Sequence, residues 1–194
     1  RGWLEGGGAS EAGEGKGADE AGVRRAYIKW GEYDVDPQAI RNITVARQRG
    51  IEAGLYFFGH PSRSPAESAS WFLRTSERYT KSGDLPPALD LEVSEGHDWA
   101  YLTHWAAAWL DPVSHTVGCR AAFYSYASFI SSISLPGGTP VWGADLAAGF
   151  TPPASWFLHQ YSFTGRVPGI NGHVDLDRFH WDPARVGSGL KGAT

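Results

Sequence analysis

The chain has 194 residues with a formal charge of -4 and 42% hydrophobic side chains, enough for one domain with a substantial core and too little for two of ordinary size. The slight acidity excludes the basic surface needed to grip a phosphate backbone, so no nucleic-acid partner is expected. No run of about 18 apolar residues is present, so no membrane partner is expected either.

Residues 5–17 are rich in Gly and almost free of bulky apolar side chains, which predicts a flexible leader. Gly15-Lys16-Gly17 fails as a phosphate loop, because no Ser or Thr follows Lys16 and Ser10 stands where a Gly is required. The chain opens at Arg1 and contains no Met, so its natural start is expected upstream.

From residue 24 strand-like and helical runs alternate. Arg25–Trp30 reads as a strand, and a helix follows with Asp36 as cap, Pro37 at its first position and Gly50 as terminator. Ile51–Phe58 is the next strand. Ser64-Pro65-Ala66-Glu67 has the form of a capping box opening a helix through Trp71, Phe72 and Tyr79. A strand is predicted over Pro87–Val93. Asp98 then caps a helix whose Leu102, Trp105, Ala106, Trp109 and Leu110 share one face. Strands near 117–125, 140–144 and 155–161 complete the series, with Cys119, the single cysteine, as a buried inert thiol. Asn171-Gly172, between Val167–Ile170 and His173–Asp177, is a two-residue hairpin signal. The alternation predicts an α/β fold, either a β/α barrel or an open doubly wound sheet, closed by a C-terminal antiparallel hairpin.

In Ala88-Leu89-Asp90-Leu91-Glu92-Val93 the two-residue period sends Asp90 and Glu92 to one face and Leu89, Leu91 and Val93 to the other. Taken alone, a half-exposed strand with two solvated acids is an equal reading. At the C-terminal end of a buried parallel strand the same pair faces the mouth of the sheet. One acid there raises the pKa of its neighbour, which suits protonation of a glycosidic oxygen. Asp175, with Asp177 on the same face, offers a third acid beyond the Asn-Gly turn. No His-Glu-x-x-His, Cys/His cluster or Gly-x-Ser-x-Gly elbow is present, so neither a metal nor another cofactor is expected.

These segments resemble glycoside hydrolase family 25, the Chalaropsis-type lysozymes. Ala26-Tyr27-Ile28-Lys29 with Glu32 is similar to the family's second strand, Gly54-Leu55-Tyr56-Phe57-Phe58 to its Gly-Ala-Tyr-His-Phe strand, and Leu89-Asp90-Leu91-Glu92 to its Asp-x-Glu strand. Phe123-Tyr124-Ser125 and Pro140-Val141-Trp142 resemble two later strands. His159-Gln160-Tyr161 through Val174-Asp175-Leu176-Asp177-Arg178-Phe179 resembles the family's Trp-Gln-Tyr…Val-Asp-x-Asn-x-Phe ending. The resemblance implies a flattened, irregular, TIM-barrel-like β/α barrel over residues 21–183, flanked by flexible segments 1–20 and 184–194. It also implies a muramidase that cleaves the β-1,4 bond between N-acetylmuramic acid and N-acetylglucosamine. Glu92 would be the general acid, with Asp90 and Asp175 orienting it or stabilising charge. Glu32, Tyr56, Phe58, Tyr124, Trp142, Gln160 and Tyr161 would line the groove, and the partner would be peptidoglycan. The enzyme is expected to be an extracellular monomer, bacterial or phage-encoded. A non-catalytic glycan-binding barrel and a glycosidase acting on another glycan stand beside this reading. Three departures mark the chain: residues 1–20 lack the family's opening Asp-Val-Ser-x-x-Gln strand, His159 replaces Trp, and Trp30-Gly31 replaces small residues before Glu32.

Overall fold

A computed structural model describes residues 23–81, 83–168 and 170–180. The Gly-rich leader over 1–20 and the tail over 184–194 lie outside the described residues. Seven strands, β1 (Arg25–Gly31), β2 (Glu52–Phe58), β3 (Ala88–Asp90), β4 (Ala122–Tyr126), β5 (Val141–Ala144), β6 (Trp156–Gly165) and β7 (Val174–Phe179), form one sheet in sequence order. Pairs β1 to β6 are parallel and β6–β7 is antiparallel. The sheet curls into a half-barrel, and among the described residues β1 and β7 remain its two edges. A cavity of about 350 Å³ lies between those edges, bordered by Arg25, Tyr27, Tyr161, Asp175 and Asp177.

Helices α1 (Ala39–Gln48), α2 (Pro65–Ser76), α3 (Trp99–Val117) and the short α4 (Ala127–Ile130) connect the first five strands. Two apolar layers result, because a parallel sheet covered by crossover helices is buried on both faces. Ile28 and Trp30 of β1, Leu55 and Phe57 of β2, Leu89 and Phe123 point outward and pack on Ile43, Phe72, Trp105 and Trp109 of the helices. The alternate residues Tyr27, Tyr56, Ala88, Tyr124 and Trp142 fill the concave side. Gly54 is required there: a Cβ would stand 2.6 Å from the Tyr27 ring and 2.8 Å from Leu85.

Local chemistry explains where sequence and structure differ. The Ser64 hydroxyl accepts from Glu67 N–H and Pro65 opens α2 as expected. Asp36 instead accepts from Gln38 N–H at 2.8 Å in a turn of its own, so α1 starts at Ala39 and not at Pro37. Helix α3 starts at its Asp98 cap, as expected, and continues through Pro112 to Gly118, whose φ of 74° ends it. Burial of Val113 and Ser114 beneath the sheet outweighs the cost of about 3 kcal/mol for an interior proline. Consequently β4 begins at Ala122, and Cys119 is half-buried in the connection and not in a strand. Strand β3 is shorter than the predicted 87–93, yet the alternation persists, with Leu91 N–H bonded to Tyr124 O at 3.1 Å. The antiparallel closure is present, but residues 166–173 join its strands as a longer connection. Val167 and Ile170 pack into the main core instead of forming a strand.

Candidate active site

Strand β3 lies between β2 and β4, with Asp90 paired to Phe58 and to Tyr124. The inward alternation therefore delivers the Asp90 carboxyl to the concave side at the C-terminal ends of the parallel strands. It is 2% exposed, and its Oδ1 has no hydrogen-bond partner among the described residues. Burial pushes the Asp90 pKa well above the usual carboxylate range, and both the charge of Glu92 and a hydrogen bond to it push the same way. Glu92 itself is half-buried. The protonated form is thus favoured at Asp90, the inner member of the pair.

Tyr124 is the hub around which the predicted acids gather. Its hydroxyl donates to Gln160 Oε1 at 2.6 Å. Its pKa is raised first by burial and then by the charges of Glu92 and Asp90, with a further contribution from Asp175. Residues from β3, β4 and β6 therefore meet at one polar spot. Trp142 forms the floor: its ring stacks on Tyr27 with centroids 4.5 Å apart and lies 4.8 Å from Tyr124. Trp142 Nε1 donates to Asp177 Oδ1 at 2.8 Å. The Asp177 pKa is nevertheless raised, because burial and the Asp175 charge outweigh that bond.

The remaining candidates separate. Tyr56 is buried among the inner aromatic residues, and Phe58 lies half-buried beneath Lys29, whose Nζ is 5.5 Å from the ring centroid. Glu32 sits at the rim, 3.4 Å from Lys29 Nζ and 3.2 Å from His60 Nε2. Partial burial raises its pKa, but the bonds and charges of His60 and Lys29 win and hold it low. Tyr161 follows Gln160 on the alternate face of β6, with Arg178 5.4 Å above its ring, and it also borders the edge cavity. Of the departures, His159 bonds Asp145 O at 2.9 Å next to Phe150 and Trp156, and Trp30 donates to Thr75 of α2. Neither faces the acids.

Sequence reading passed over His60 and Glu95, which contact each other across the mouth, and the bond between Trp142 and Asp177. The position of His60 just after a parallel strand was the one available signal. Among the described residues no group of His, Cys, Asp or Glu is placed to hold a metal ion, and no helix is long and apolar enough to cross a membrane.

Known proteins carry the same frame. The bacterial lysozyme of Streptomyces coelicolor superposes with a TM-score of 0.76 at 25% identity, covering 92% of this chain and 91% of that one. A muramidase from Acremonium alcalophilum shares the fold, with a TM-score of 0.72 at 24% identity and 91% of each chain covered. Lysozyme M1 of Streptomyces globisporus is 28% identical over 185 residues, 86% of this chain and 63% of that protein. The protein YegX of Escherichia coli (strain K12) is 33% identical over 162 residues, 80% of this chain and 58% of YegX. The chain thus spans less than two thirds of these two relatives. The model of the family described as glycosyl hydrolases family 25 matches residues 14–170, and the chain belongs to that family.

Proposed function

We propose that this protein is a muramidase that hydrolyses the β-1,4 bond between N-acetylmuramic acid and N-acetylglucosamine in peptidoglycan. The observation that carries this reading is the buried Asp90, two residues before Glu92, set beside Tyr124 at the C-terminal ends of the parallel strands. Asp90 is too deeply buried to reach a sugar, so Glu92 delivers the proton to the leaving glycosidic oxygen. Asp90 maintains the supply by sharing that proton. As the bond breaks, positive charge grows on the sugar ring, opposed by the carboxylate left at Glu92 together with Asp175; water then supplies the new oxygen at the anomeric carbon, and its released proton restores the acid. Tyr124, held neutral and tied to Gln160, fixes the polar wall against which the acids are arranged. The names of the lysozyme relatives support a cell-wall substrate, and action outside the cytoplasm follows from it.

Glu92→Gln keeps the shape of the side chain and removes the acid. It is expected to lower release of reducing ends from purified cell wall by about 10²–10⁴-fold, with an unchanged circular dichroism spectrum. Undiminished lysis by a folded variant would refute the assignment. Retention on cell wall by the unmodified protein, with no reducing ends released, would instead identify a glycan-binding barrel.

A further inference from the structure

A second polar cluster closes one side of the mouth and has no task in the hydrolysis described above. His60 lies two residues beyond β2, with its side chain 13% exposed. Its Nδ1 is 2.7 Å from Glu95 Oε1, and its Nε2 is 3.2 Å from Glu32 Oε2. Glu95 also accepts from Ser62 N–H at 2.7 Å. Its carboxyl is held down to about 2, the bonds from Ser62 and His60 outweighing the upward effect of burial. Tyr33 stacks on the imidazole with centroids 4.3 Å apart, and Arg63 lies 5.3 Å from the Tyr33 ring centroid. Glu95 is also the one non-glycine residue, among those described, in the left-handed region, with φ of 48°. Such a conformation persists where neighbouring contacts enforce it.

The chemistry of the bridge is specific. An ionised carboxylate only accepts hydrogen bonds, so an imidazole bonded to one carboxylate at each nitrogen donates from both, and only the imidazolium does that. The two nitrogens point to different carboxylates, so the trio does not converge on an ion. Position gives the bridge a purpose. Between Leu91, anchored on Tyr124 O, and Asp98, which caps α3, the chain has no regular structure. Glu92 stands in that stretch, and Glu95 ties it to the loop after β2.

We propose that His60 is a positioning residue for the hydrolysis: as an imidazolium it couples Glu32 on the rim to Glu95, three residues past Glu92, and so fixes the backbone that presents the proton donor. This rests on the muramidase reading. The groups facing His60 are Glu32 and Tyr33 from beyond β1, with Lys29 and Arg63 behind them, and Glu95 from beyond β3. Removal of the ring unties Glu95 from the rim and frees the stretch that carries Glu92.

Two measurements on the full chain decide the matter. His60→Gln should lower kcat on cell wall by about tenfold while KM changes less, Glu95→Gln should lower it by the same factor, and the two combined should cost no more than either alone. A His60→Gln enzyme with the wild-type kcat, or a double variant whose losses multiply, overturns the proposal. In protein labelled at Glu side chains, NMR should show the Glu92 carboxyl signal displaced by His60→Gln, and that displacement should be absent when His60→Gln is made in the Glu95→Gln background. A Glu92 signal indifferent to His60 overturns the tether with or without substrate. Wild-type protein that shows the coupling but cleaves no peptidoglycan refutes the muramidase reading and leaves the tether standing.

Discussion

Burying a carboxyl beside another carboxyl makes its charged form costly, and Asp90 carries that cost for the sake of the proton it keeps. Its folded-state pKa lies above the unfolded value, so from about pH 4 upward the native chain binds a proton that the unfolded chain has released. Stability therefore falls as pH rises toward the elevated pKa. Asp90→Asn, a neutral mimic of the protonated acid, is expected to have a higher Tm than wild type at neutral pH, with the gap closing toward about pH 4. Turnover should fall by about 10²-fold. Equal melting temperatures at neutral pH would contradict the burial argument. Glu95 acts in the opposite sense: its depressed pKa contributes stability above about pH 4.5, lost as pH falls toward about 2. Its exposure keeps that contribution small and salt-sensitive. The acid pair was legible because alternation alone puts Asp90 and Glu92 on one face. The bridges from His60 to Glu95 and from Trp142 to Asp177 each join residues 35 positions apart, and no local pattern encodes a contact of that range.

Strands and helices were legible where one local signal dominated. The Ser64 box and the Asp98 cap each set a helix start by a single side-chain bond. Boundaries moved where burial opposed local preference, as in α3, or where a side chain bonded its own backbone, as at Asp36. The register of β1 on β2 depends on an interlock that composition does not reveal, the Tyr27 ring lying over Gly54. Gly54→Ala would push that ring toward Trp142, its stacking partner. We expect a loss of about 1–3 kcal/mol in urea unfolding. A variant as stable as wild type would show that the inner layer yields without cost. Behind the sheet, Trp109 is fully buried and stacks on Phe57 with centroids 5.7 Å apart. Trp109→Ala should cost about 3–5 kcal/mol by the same assay.

Across the whole molecule the helical layer is uneven. Crossover helices back the first four strands, whereas β5 and β6 are joined by residues 145–155, whose Phe150 packs on Trp156 and His159. The parallel architecture and the antiparallel finish were foreseeable from the strand–helix series and the late turn residues. Whether the sheet closes was left undecided between a barrel and an open sheet, because closure depends on how far each strand runs; among the described residues β1 and β7 remain edges. The weakly held part of the described fold is the largely exposed connection over 166–168 and 170–173, where Val167 and Ile170 pack on the core and His173 Nδ1 bonds Thr164 O. A broad-specificity protease under native conditions should make its first cut there, and a first cut within α2 or α3 would contradict this ranking of local stability. That bond is also the one that separates Asp175 from Asp90 and Glu92 along the chain. Once the downstream fragment dissociates, catalytic life and covalent integrity should decay with the same half-time.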